Sequence, residues 1–217
     1  MTWTVEAICA GRAVKFRESE KSAIAKQVVD GPVRVATLGL VGDEQADLVN
    51  HGGPDMALHL YPLDHHDYWR EELGDHPLLD TPGGFGSNLA VAGLREDDIC
   101  LGDRLRLGNA LIEACQPRKP CWKIEHRFGE KKMVKRILRT GRCGIYFRVI
   151  EEGEVSAGSP LTVERHGNKD WSIARIFGAV WGTAEKRDPF LLREVAELPL
   201  LADRMKAKVR EMAAALA

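Results

Sequence analysis

At 217 residues, with 44% hydrophobic and 29% charged residues, the chain has the composition of a soluble globular protein: one large domain, or one domain with an appendage. Wholesale disorder and membrane-spanning segments are excluded, since no stretch approaches the roughly 18 apolar residues a span needs. The net charge of −1 conceals an asymmetry: residues 41–103 hold 14 acidic residues against Arg70 and Arg95, whereas residues 118–142 hold 10 Lys and Arg against Glu125 and Glu130. Such segregation points to an anionic ligand or partner at the basic part, or to two solvated faces.

In chain order, MTWTVEAICAGRAV has no cationic start, and Glu6 interrupts its only apolar run, so it does not read as a signal peptide. Five cysteines without a CxxC pair argue against a disulfide framework or a structural zinc site, and a reducing cytoplasm is the expected compartment. PVRVATLGL (32–40) alternates as a strand. YPLDHHDYWREEL (61–73) predicts a helix with Pro62 in its first turn and His65, Trp69 and Leu73 on one face. The segment Ile99–Cys115 reads as a hairpin about Gly108-Asn109, and GIYFRVI (144–150) and PLTVER (160–165) as strands. KKMVKRILRTG predicts a basic amphipathic helix stopped by Gly141. Many short strands without regular helical alternation predict a mainly β fold, a barrel or sandwich, over residues 1–166.

After Gly167 the period changes. Ile173, Ile176, Phe177, Val180 and Trp181 predict one helix, Asp188-Pro189 caps a second running through Leu198, and Leu201 to Leu216 line a third. Residues 167–217 are therefore expected to form a small three-helix domain. Too small for a confident independent core, it should pack on itself or on the barrel.

Three segments carry candidate chemistry. In QPRKPCWK (116–123), Cys121 has Arg118, Lys119 and Lys123 as neighbours, and nearby cations favour the thiolate. The flanking prolines restrict the backbone and direct Arg118 and Lys119 toward a bound anion. Cys9, Cys100, Cys115 and Cys143 lack such surroundings and read as packing residues. In the second segment, Gly52-Gly53 permits a tight turn that brings His51 and Asp55 near each other or near a ligand; with His59 the pair is too loosely spaced to specify a metal site. GGFGSNL (83–89) matches no nucleotide-binding loop and reads as a tight bend.

Taken together, DGPVRVATLGLVGDEQAD, HGGPDMAL, Tyr61-Pro62 with His65 and Trp69, GFGSNL, Gly102-Asp103, QPRKPC and GIYFRVIEEGEVSAGSPL resemble a MOSC domain, named for the C-terminal domain of molybdenum-cofactor sulfurases. The likeness is closer to the YiiM-like branch, in which the barrel precedes three helices, and it spans roughly residues 20–217. It implies a MOSC-type β-barrel with peripheral helices, binding of molybdenum cofactor (molybdopterin), and Cys121 as the metal ligand. Arg118, Lys119, Gln116, Gly52, Gly53 and Asn88 would contact the cofactor, and Asp55 or His51 would deliver protons. Related sequences usually read GFGENL; here Ser87 replaces the acid.

The resemblance implies reduction of N-hydroxylated compounds, such as base analogues, by two-electron oxo transfer. With no dinucleotide or iron–sulfur fingerprint in the chain, a separate reductase is expected to supply the electrons. The alternative is a carrier that holds a persulfide or the cofactor on Cys121 without turnover. Nucleic-acid binding by residues 118–142 has little support, because only Trp122 and Phe128 are interleaved among the cations.

Overall fold

The computed structural model describes residues 1–18, 20–48, 51–182 and 188–216. Seven strands close into a ring and are numbered here: β1 (Thr2–Ala10), β2 (Leu58–Pro62), β3 (Leu89–Val91), β4 (Arg104–Leu107), β5 (Ala110–Pro117), β6 (Ile145–Glu151) and β7 (Pro160–Arg165). Around the ring the order is β7-β4-β5-β6-β2-β3-β1, and β1 returns to β7 with Thr2 opposite Thr162 and Thr4 opposite Pro160. All these pairings are antiparallel except β2–β3, where Leu60 faces Leu89 and Pro62 faces Val91. A parallel pair needs a crossover, and helix α1 (Asp64–Leu73) supplies it.

Inward residues from every strand fill the barrel, including Ile8, Leu58, Leu89, Leu105, Ile112, Phe147 and Leu161, all without solvent exposure. The hairpin at Gly108 forms as expected, with Leu107 opposite Ala110 and Gly108 at φ 57°. Closure of a mainly β barrel agrees with the fold class expected from the sequence. Among the described residues no helix is long and apolar enough to cross a membrane.

Several local expectations change. The run 32–40 is two short strands, Val33–Ala36 and Gly39–Leu40, folded back on each other so that Val35 pairs with Leu40. Pro62 ends β2 rather than opening the helix, which starts at Asp64. The N-terminal segment, not expected as a strand, is the longest in the barrel. A short helix, α2 (Trp122–Phe128), also went unforeseen; it precedes α3 (Met133–Thr140), which ends at left-handed Gly141 as expected.

Helices α4 (Ile173–Trp181), α5 (Pro189–Ala196) and α6 (Asp203–Ala214) follow the predicted periods. Asp188 caps α5 by accepting the Phe190 N–H at 2.8 Å. They pack on one another through Ile176, Val180, Leu192, Val195, Met205 and Val209, and the same cluster takes in Leu101 and Trp171. Contact with the barrel is direct. Asn168–Ser172 pairs with Cys100–Leu101, and the Ala202 N–H donates to the Cys115 carbonyl at 3.2 Å.

Candidate functional site

Cys121 sits where the chain leaves β5 and turns into α2. The Arg118 N–H donates to the Gly144 carbonyl at 3.1 Å, which anchors the start of this passage. Extended at φ −133° and ψ 169°, Cys121 then caps α2, and its carbonyl accepts the Ile124 N–H at 3.1 Å.

His51 hydrogen-bonds the Cys121 thiol, and its Nδ1 lies 3.0 Å from the Asp47 carboxylate. Burial pushes the thiol up, but the His51 hydrogen bond, the Arg118 charge and the Lys123 N–H outweigh it, so Cys121 titrates below an ordinary thiol. The same contact raises His51 against the opposing effect of its own burial. This is the arrangement that favours a thiolate–imidazolium pair. The other cysteines move the opposite way. Burial pushes Cys9 up to about 11 and raises Cys115 and Cys143 as well, and Cys100 is also raised, by burial and then by Asp103.

Two clefts meet at Cys121. The first, of about 670 Å³, has Lys26, Asp43, His59, Asn88 and Arg118 in its lining. The second, of about 1400 Å³, lies between the barrel and the C-terminal helices. Cys121, His51, Lys119, Lys123 and Tyr146 line both.

The floor of the first cleft is a buried network. Lys26 pairs with Asp43, which also accepts the Gly11 N–H at 2.8 Å and the Asn88 side-chain amide at 2.8 Å. Asn88 accepts the His59 N–H at 3.1 Å. His59 is held neutral: burial and then the Arg118 charge push it well below its ordinary value. Arg118 is only 7% exposed and hydrogen-bonds Tyr146, yet one terminal guanidinium nitrogen has no partner, and neither has His59 Nε2. Buried polar groups are normally paired, so the free guanidinium nitrogen marks where a ligand's polar atom belongs, whereas His59 Nε2 packs against Gly144.

Of the residues singled out in the sequence, Cys121, His51, Arg118, Lys119 and Asn88 come together around the first cleft, and Gln116 lines the second. Asp55 lines neither; its carboxylate is held by Arg148 at 2.8 Å. Gly52 and Gly53 do not line the clefts either. They shape the turn beside His51: a Cβ on Gly52 would strike Gln45 and Leu48, and Gly53 adopts φ 95° while its N–H donates to Gln45 at 2.9 Å. Ser87 is fully buried and donates to the Pro82 carbonyl at 3.0 Å, so it ties its own turn. Among the described residues no three His, Cys, Asp or Glu side chains gather as a metal cluster, so His51, Asp55 and His59 are not one.

Sequence reasoning missed Asp47, Lys26, Asp43 and Tyr146. Asp47 lies four residues before His51, a usable signal. Lys26 interrupts an otherwise apolar stretch, another signal, but its pairing with Asp43 is visible only in three dimensions.

A family model described as the MOSC domain matches residues 47–162, more than half of the chain. Protein YiiM of Escherichia coli is 42% identical over 154 residues, 71% of this chain and 69% of that protein. A protein of Gibberella moniliformis named "Reductase" is 36% identical over 180 residues, 82% of this chain but 32% of that much longer protein. The crystal structure of YiiM from Geobacillus stearothermophilus superposes with a TM-score of 0.81 at 31% identity, covering 96% of this chain and 98% of that one. The family match, the sequence identity and the superposition agree: the chain belongs to the MOSC domain family, in its YiiM-like branch.

Proposed function

We propose that the chain is a molybdenum-cofactor-dependent oxidoreductase that reduces N-hydroxylated compounds, base analogues among them. The observation that carries this reading is the unpaired guanidinium nitrogen of buried Arg118 beside a thiol whose acidity is raised. An anion and a soft metal would satisfy both at once. With a single cysteine and no cluster of ligands among the described residues, a metal here must bring its other ligands with it, as a metal already chelated by an organic cofactor does. The residues therefore fit such a group.

Cys121 would ligate the metal, and Arg118 and Lys123 would hold the cofactor's phosphate. When bound, the cofactor supplies a two-electron redox centre able to accept an oxygen atom. Overall, R–NHOH takes two electrons and two protons and gives R–NH₂ and water; the N–O bond breaks, and the oxygen leaves as water. His51, steadied by Asp47, is the residue placed to hold a proton beside Cys121, whereas Asp55 is occupied by Arg148. Electrons come from a separate reductase, and we place the chain in the cytoplasm, where its five cysteines stay reduced.

A second reading rests on the line Asp47–His51–Cys121. A hydrogen-bonded imidazole that a carboxylate orients activates a thiol for nucleophilic attack, which suits a sulfur or cofactor carrier. One experiment separates the readings: protein loaded with molybdenum cofactor is given an N-hydroxylated purine and a chemical electron donor. Amine formation that Cys121→Ser abolishes supports the reductase. Bound molybdenum without amine would leave the carrier.

A further inference from the structure

We propose that Arg204, on α6, is a positioning residue for the Cys121–His51 pair, so that a C-terminal helix holds the turn on which the imidazole sits. The inference rests on Cys121 as the working thiol, which the reductase and carrier readings share. Its first ground is where the guanidinium goes. Arg204 donates to the Leu48 carbonyl at 3.0 Å and to the Gly52 carbonyl at 3.4 Å. These carbonyls bracket His51 in the sequence, yet they lie 156 and 152 residues from Arg204. A guanidinium carries its donors in a planar fork of fixed spacing, so one that reaches both carbonyls also sets their separation.

The second ground is that α6 is itself fastened. Just ahead of it, the Ala202 N–H donates to the Cys115 carbonyl at 3.2 Å, and Arg148 donates to the Leu200 carbonyl at 3.2 Å. Cys115 and Arg148 belong to β5 and β6, so Arg204 reaches the turn from a base set on the barrel. The third ground is how little else places His51. Its side chain is 35% exposed, so packing alone does not fix the ring. The His51 N–H donates to the Asp47 carbonyl at 2.8 Å and the Gly53 N–H to the Gln45 side chain at 2.9 Å. Both partners lie within eight residues, so these bonds fold the turn on itself, whereas Arg204 ties it from outside. The imidazole that contacts Cys121 therefore takes part of its placement from a helix beyond residue 162, where the match to the MOSC domain ends.

The test is the rate at which limiting iodoacetamide labels Cys121 in the full-length protein at neutral pH, with amide hydrogen exchange by NMR as a second readout. Arg204→Ala should slow labelling roughly three- to tenfold, the range for one ordinary hydrogen bond. It should also speed exchange of the His51 and Gly53 amides while barrel amides such as that of Ile112 keep their rates. Arg204→Lys, which can still donate to one carbonyl, should recover part of both effects. In the His51→Ala background, Arg204→Ala should slow labelling no further, because a residue that acts through His51 then has nothing to position. Arg204 is exposed, so thermal melts of these variants should stay close to wild type. Unchanged labelling in Arg204→Ala where His51→Ala slows it, or an equal further loss in the His51→Ala background, overturns the proposal. Unchanged labelling in His51→Ala itself would instead overturn the pairing of His51 with the thiol, and exchange of the two amides would still decide whether Arg204 holds the turn.

Discussion

The backbone N–H of Gly144 donates to the buried carboxylate of Glu96 at 2.7 Å. The same oxygen accepts the Cys143 N–H at 2.9 Å, and the other carboxylate oxygen lies 2.8 Å from His65 Nε2. Gly144 in turn receives Arg118 through its carbonyl, and at φ 84° it lies so close to His59 that a Cβ would collide with the imidazole. Glu96 thus positions the loop on which both orphaned groups of the first cleft depend.

Replacing Glu96 by Ala leaves two buried N–H groups and His65 without an acceptor. A loss of about 3–5 kcal/mol is expected in urea unfolding, the range for breaking a buried pair. Glu96→Gln keeps one acceptor and should lose about 1–3 kcal/mol. Burial raises the Glu96 carboxyl, but His65 and the amides outweigh it, so the folded value is depressed. Its stabilisation is therefore present above the ordinary carboxylate pKa and lost as pH falls through the folded value. A variant as stable as wild type at neutral pH would show that the loop is held by other contacts.

In cofactor-free protein, limiting alkylating reagent should label Cys121 before Cys9, Cys100, Cys115 or Cys143. The midpoint of its rate against pH should lie below that of an ordinary thiol. His51→Ala removes the strongest contribution that lowers it and should move the midpoint upward. Peptide mass spectrometry across a pH series reads both effects; an unchanged midpoint would mean that His51 does not set the thiol's acidity.

Arg118→Lys should reduce the cofactor retained per chain, since an ammonium cannot reproduce a bidentate fork on phosphate. Losing one charge-assisted hydrogen bond is worth about 1.5–3 kcal/mol, roughly ten- to a hundred-fold in affinity. Molybdenum and pterin content of wild type, Arg118→Lys and Arg118→Ala, with thermal melts as a control, gives the answer. Equal content in all three would mean that the guanidinium does not touch the cofactor.

His66 is a pH liability. Its Nδ1 lies 2.9 Å from the Leu79 carbonyl, its Nε2 is buried without a partner, and burial pushes its pKa below the ordinary value. The unfolded chain therefore binds this proton more readily, and stability falls as pH drops through the ordinary histidine pKa. Arg70 also donates to the Leu79 carbonyl, at 3.1 Å, so His66→Phe leaves that oxygen paired. The difference in melting temperature between about pH 7.5 and about pH 5.5 should shrink in the variant. An undiminished difference would assign the acid sensitivity to His59.

The strands and helix ends were largely legible, because Val33, Val35, Ile145 and Phe147 alternate, and Gly108 and Asp188 act through local geometry. The first strand was not. Glu6 looks like an interruption of an apolar run, but it is an exposed residue between buried Val5 and Ala7, where the pairing with β3 shifts register. The thiol and its cations stood out because they are contiguous; the pairing of Lys26 with Asp43 spans 17 residues and that of Asn88 with Asp43 spans 45, and no local pattern records either. Asp55 misled for the complementary reason. Its proximity in sequence to His51 says nothing of Arg148, which lies 93 residues away and holds it.

The return of β1 to β7 has a consequence for how the chain is made. Thr2 meets Thr162, so the N-terminal part of this edge of β1 waits for the last strand of the barrel, while Cys9 and Ala10 can pair early with Val28 and Gln27. Its other edge can be paired earlier, by β3. Ring closure across so long a separation raises contact order and slows folding. Until β7 arrives, β1 and β4 each present an open edge, the state in which a nascent barrel is most exposed to pairing with its neighbours.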